Sequence, residues 1–259
     1  MKKQISMCQT VPSAEVLFCS FHSNIAAMKR ILRLSILGCI VPLYIVHFSS
    51  CSADSSEEPP PIIRHLGIEY GRYDSLSGMA GAFNFHSTER VTPVLDKVFI
   101  EFGGDMIWGA CPPDCGISRH FIYRLPPQTQ VYAPIDGYVL DIGFDSNWQD
   151  FEIILGSSRR SGYWYVVIDH VLDLQVQKGD RIEAGQCVAN VGNGALEIDL
   201  SSNSGTHCML SYFDPETVTE WRQKVSDLMH DWETFIGDQT LYDQESMLEP
   251  GCVVQMVPR

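Results

Sequence analysis

Two segments constrain what this chain can fold into more than anything else in it: Val131-Tyr-Ala-Pro-Ile-Asp-Gly-Tyr-Val139 and Val176-Gln-Lys-Gly-Asp-Arg-Ile-Glu-Ala-Gly-Gln-Cys-Val-Ala-Asn-Val-Gly192. Asp136-Gly137, Gly179-Asp180 and Ala184-Gly185 each permit a tight reversal, and the apolar residues between them point inward, so both segments read as antiparallel hairpins. Further short β-type runs lie at 97–102, 121–125, 131–133, 138–142, 151–155, 163–168 and 187–191. Strands of this length and spacing predict a mainly β domain, a compact antiparallel barrel or sandwich. The roughly 150 residues from Ile62 to Pro215 suffice for one core.

The pattern then changes. Val218, Trp221, Val225, Leu228, Met229, Trp232, Phe235 and Ile236 recur at helical intervals between Asp214-Pro215 and Gly237. They predict an amphipathic C-terminal helix closed by a glycine, its apolar stripe packed on the β domain. Residues 62–116 add further strands ahead of it.

The N-terminal part reads as a processing signal. Lys29, Arg30 and Arg33 precede an apolar run from Leu34 to Val46, and Phe48-Ser49-Ser50-Cys51 follows. The run is shorter than the roughly 20 apolar residues of a membrane span, and it resembles the signal of bacterial lipoproteins, in which the cysteine is lipidated and becomes the new N-terminus. Phe48 departs from the usual leucine; an ordinary secretory signal or an uncleaved anchor is the alternative. The expected division is residues 1–27 ahead of the true start at Met28, 28–51 the signal, 52–61 a proline-rich tether, 62–116 the β extension, 117–215 the main β domain and 216–259 the helix and tail. The expected location is therefore the bacterial cell envelope, with membrane attachment through lipid on Cys51.

Charge follows that division. Subtracting the +4 of residues 1–51 from the net −14 of the chain leaves −18 on the remainder, which excludes nucleic acid as a partner by repulsion. Of nine cysteines, Cys111, Cys115, Cys187, Cys208 and Cys252 fall in the exported part, an odd number, so at least one stays unpaired within the chain. In an oxidising compartment Cys111-Pro-Pro-Asp-Cys115 favours a small disulfide loop over half of a four-thiolate zinc site, since no second close pair completes one.

From about Ser118 to Pro215 the order of motifs resembles that of the lysostaphin-type (LytM-type) zinc endopeptidases, which share the duplicated hybrid motif with phosphocarrier and, more distantly, biotinyl and lipoyl domains. The elements are V-x-A-P-x-D-G-x-V, a central histidine strand, V-x-x-G-D-x-x-x-A-G-Q and a terminal histidine segment. A carrier role is not expected, because no hairpin offers a modifiable lysine. The resemblance implies a zinc held by a first His-x-x-x-Asp pair and the last histidine of a His-x-His segment, with two further histidines assisting and a water in the fourth position.

Residue by residue, His120 takes the first ligand position, while Arg124 stands where the aspartate belongs. A guanidinium repels zinc. His207-Cys208-Met209 is the expected terminal segment, with Met209, a poor ligand, in the third position. His170 and His207 match the assisting histidines. A remodelled site would use His120, His207 and either Cys208 or Asp169; taken singly, His170 equally reads as a core histidine. Val166–Val171, His207-Cys208 and Asp231-Trp-Glu-Thr-Phe-Ile-Gly-Asp238 also resemble bacterial proteins of this fold that kept the barrel and lost the metal, which makes His207 and Cys208 structural and pairs Cys208 with Cys252. The expectation is a degenerate, non-catalytic domain without cofactor, binding peptidoglycan or an envelope protein. The alternatives are a zinc endopeptidase cutting peptidoglycan cross-links and a small-molecule or sugar binder with Trp148, Tyr163 and Trp164 lining its cleft.

Overall fold

The computed structural model describes residues 58–88, 96–105, 116–160, 162–254 and 256–257. The signal and Cys51, and the Cys111–Cys115 pair, lie outside these residues. Small strands β1 (Tyr73–Asp74), β2 (Met79–Ala80) and β3 (Phe83–Asn84) form a three-stranded antiparallel sheet. The main sheet holds β4 (Phe99–Ile100), β5 (Phe121–Tyr123), β6 (Gln130–Tyr132), β7 (Gly137–Asp145), β8 (Asp150–Gly156), β9 (Trp164–Leu172), β10 (Arg181–Ile182), β11 (Cys187–Val191), β12 (Leu196–Ser202), β13 (Gly205–His207) and β14 (Met256–Val257). Its order is β10-β7-β8-β9-β12-β13-β14, with β5 and β4 continuing from β12 and β11 and β6 from β9. The mainly β expectation holds, but the sheet is open and not closed into a barrel.

The turn residues act in different ways. Gly179 and Gly185 take φ of 92° and 80°, where a side chain would be strained. Gly137 opens β7 and is required by contact: a Cβ there would stand 2.1 Å from the Gly156 carbonyl oxygen. Asp136 ties its bend to the second segment by accepting the Ala184 N–H at 2.8 Å.

Strands β12, β13 and β14 were absent from the expectation, and β12 is the longest of them. In β12, Leu196, Ile198 and Leu200 are fully buried, and the strand lies between β9 and both β5 and β13. Its core face meets Phe121, Tyr123, Val166 and Ile168, so alternation sends Glu197 and Asp199 to the opposite face.

Helix α1 (Val218–Ile236) buries Trp221, Val225, Leu228, Met229 and Trp232 and ends at Gly237, whose left-handed φ of 76° lets its N–H reach the Glu233 carbonyl. Much of its stripe meets the N-terminal extension: Trp221 packs edge-on to Tyr70, and Trp232 edge-on to Phe85. Arg72 adds a two-pronged pairing to Asp231 at 2.9 and 2.7 Å. The extension therefore shares one core with the helix and the main sheet.

Candidate functional site

The polar face of β12 gathers charge. Glu197 is paired in register with Asp169 of β9 and with Ile122 of β5. His120, just before β5, places Nδ1 2.9 Å from Asp199 Oδ2 and Nε2 3.8 Å from Glu197 Oε2. Asp199 is buried and also accepts the Ser201 hydroxyl at 2.6 Å. Burial alone would lower the His120 pKa; the Asp199 contact, aided by Glu197 and Asp169, outweighs it and raises the pKa above the ordinary histidine value. Burial raises Glu197, with the two histidines His120 and His170 opposing. Burial likewise raises Glu152, and the Asp169 and Asp199 charges add to it.

Beside this group, β8 and β9 slip register between Phe151↔Val171 and Ile153↔Ile168, setting Asp169 and His170 against Glu152 alone. Such a bulge re-aims side chains. His170 takes φ of 63°, a left-handed conformation that costs a residue with a Cβ about 1–3 kcal/mol. Its Nδ1 lies 3.0 Å from Oδ2 of the fully buried Asp150. The ring is seated against Gly194, where a Cβ would come within 2.9 Å of it, and the edge of Trp148 stands 5.2 Å away between centroids.

His120 and His170 thus come to one face, and His207 does not. His207 pairs with Leu200, whose side chain is in the core, so it faces away from Glu197 and Asp199. There it is buried, 2.7 Å from Ser202 Oγ and 3.3 Å from the Tyr212 hydroxyl, its ring 4.6 Å from Trp164. Met209 is fully buried, and Cys208 is joined to Cys252, which removes it as a thiolate ligand. Arg124 lines a cavity of about 650 Å³ with Pro126, Pro127, Asn84 and Gly194. The imagined aromatic cleft does not assemble: Trp164 is buried against His207, while Trp148 stands over His170, six strand positions or about 20 Å along β9.

The segment facing His120 is Glu197-Ile198-Asp199, which sequence reasoning passed over; the apolar-polar alternation Leu-Glu-Ile-Asp-Leu was its signal. These residues do not fit the zinc set that the resemblance implies. The implied set places an aspartate and a second histidine beside the first, whereas here Arg124 stands at the aspartate position and the side chains facing the His120 ring are Asp199 at Nδ1 and Glu197 at Nε2. The geometry is that of one imidazole between two carboxylates, which favours its charged form.

The raised His120 pKa has a sign. Its ion pairs stabilise the fold fully below the unfolded histidine pKa, about 6.5, and the contribution fades as pH rises through the raised folded value. Asp199→Asn should lower the His120 titration midpoint, followed by NMR of the ring, because burial then faces weaker opposition. An unchanged midpoint would show that Asp199 is not the main partner.

Residues 120–212 match the model of Peptidase family M23. No curated protein matches the chain. Among solved structures, the solution structure of lysostaphin is 16% identical with a TM-score of 0.36, aligned over 50% of this chain and 58% of that one. The catalytic domain of lysostaphin from Staphylococcus simulans is 18% identical with a TM-score of 0.34, over 46% and 89% of the two chains. The catalytic domain of the prophage-encoded M23 protein EnpA from Enterococcus faecalis is 20% identical with a TM-score of 0.32, over 40% and 82%. This chain thus spans little more than half of the whole lysostaphin structure.

Proposed function

We propose, from the match of residues 120–212 to the model of Peptidase family M23, that the protein is a non-hydrolytic module at the bacterial envelope, binding peptidoglycan or an envelope partner. The observation that carries this reading is the bracketing of His120 by Asp199 and Glu197. Arg124 stands at the second ligand position, and two acids face the expected first ligand where the resemblance implies a histidine. Anchoring through Cys51 is supported by the basic start and short apolar run that precede it.

The test uses purified protein supplied with Zn²⁺ and incubated with murein sacculi. The expected result is co-sedimentation with the sacculi and a muropeptide profile unchanged by the protein. New cleavage products would overturn the non-hydrolytic reading, and a protein left in the supernatant would overturn peptidoglycan as the ligand. In cells, palmitate labelling should disappear in Cys51→Ala; labelling that survives would remove the anchor.

A further inference from the structure

Asp150 is fully buried, and its Oδ1 has no hydrogen-bond partner among the described residues. Leaving a carboxylate oxygen without a donor in the interior is costly. The other oxygen contacts His170, and Asp169 stands beside them; one ligand atom from each of the three lies within 4.8 Å of the others. We propose that Asp150, Asp169 and His170 form a binding site for a divalent first-row metal ion, separate from the His120 ion pair and lying outside the ligand positions of the resembled peptidases.

The geometry suits such an ion. Ligand bonds of about 2.0–2.2 Å allow donor atoms to lie up to about 4.4 Å apart, so a small rotation of the half-buried Asp169 completes the set. The Asp150–His170 separation of 3.0 Å matches an edge of a coordination polyhedron as well as a hydrogen bond. The register slip and the left-handed His170 are what turn Asp169 and His170 toward a residue on the neighbouring strand. Gly194 leaves room for the ring that this requires. One imidazole and two carboxylates form a set that Mn²⁺ and Zn²⁺ both accept. Glu152 and Glu197, close by, add negative potential without being needed as ligands.

This site does not depend on whether the domain hydrolyses anything, and its test reads no activity. The full chain is titrated with Mn²⁺, followed by electron paramagnetic resonance, and with Zn²⁺ by calorimetry. Mn²⁺ is the more selective probe because it avoids the chain's thiols. The expected result is one ion bound per chain, weakened at least about tenfold in Asp150→Asn and in His170→Gln and unchanged in His120→Gln. Asp169→Asn, at a half-buried position, gives the same reading if either buried variant fails to fold by circular dichroism. Binding of neither ion, or a loss in His120→Gln as large as in Asp150→Asn, would overturn the separate site.

Discussion

Removing the Cys208–Cys252 disulfide by paired alanine substitution should destabilise the protein by about 4 kcal/mol. The two cysteines are 44 residues apart in sequence, and closing a loop of that size restricts the unfolded chain by about this amount. For a chain of this length the loss corresponds to a fall in melting temperature of roughly 10 °C. Alanine is preferred to serine because both positions are buried and a hydroxyl there would need a partner. The damage should be greatest at the C-terminal tail. Cys252 sits between Gly251, which packs on Val225, Phe121 and Phe99, and Val253, whose N–H donates to the Phe102 carbonyl at 2.8 Å. The tail also supplies β14, which pairs Thr206↔Val257 and His207↔Met256. Thermal unfolding of the oxidised parent, the reduced parent and the double variant checks this: the last two should coincide well below the first. Equal melting temperatures for all three would mean that the crosslink constrains nothing the fold does not already hold.

The strands were legible where apolar runs ended in turn residues, as at 131–139 and 187–191, because pattern and turn chemistry point the same way there. Helix α1 was legible from its stripe, with Gly237 at the stop. The site was less so, for three local reasons. Glu197 and Asp199 sit in a strand whose apolar partners are only three, so its alternation is short, and an acidic segment invites a solvated reading. His207 faces the core because of a three-residue pairing with β12, and a shift of one residue would have turned it to the other face. The left-handed conformation of His170 follows from register between β8 and β9, and no residue type announces it: unlike Gly179 or Gly185, a histidine carries no signal for positive φ. Motif order therefore located the face on which His120 and His170 meet, while the residues opposite them depended on strand pairing that sequence does not print.

Those residues change the chemistry of the face. A zinc peptidase needs neutral imidazoles and a fixed carboxylate around a free ligand position. Here acids supplied by β8, β9 and β12 surround two histidines, and the Asp199 contact, outweighing burial, raises the His120 pKa above the ordinary histidine value. The negative charge of this face favours binding a cation.

Trp232→Ala should be the most damaging single substitution, costing about 3–5 kcal/mol. The side chain is the largest of those fully buried. Its ring meets Phe85 edge-on at 4.9 Å and stacks on Phe235 at 5.6 Å, and its Nε1–H donates to the Asp96 carbonyl at 2.6 Å. It therefore joins α1 to the extension and to the approach to β4. Alanine leaves a cavity and strips the partly buried Asp96 carbonyl of the Trp232 donor, and the two losses add. Trp232→Phe separates them: it keeps much of the packing and removes the hydrogen bond, so it should cost about 1–2 kcal/mol. Urea unfolding measured by circular dichroism gives both values, and the small β1-β2-β3 sheet should lose amide protection before the main sheet, because Tyr73 and Phe85 also lean on Phe235. If alanine costs no more than phenylalanine, the helix holds the extension through Arg72 and Asp231 and not through its aromatic stripe.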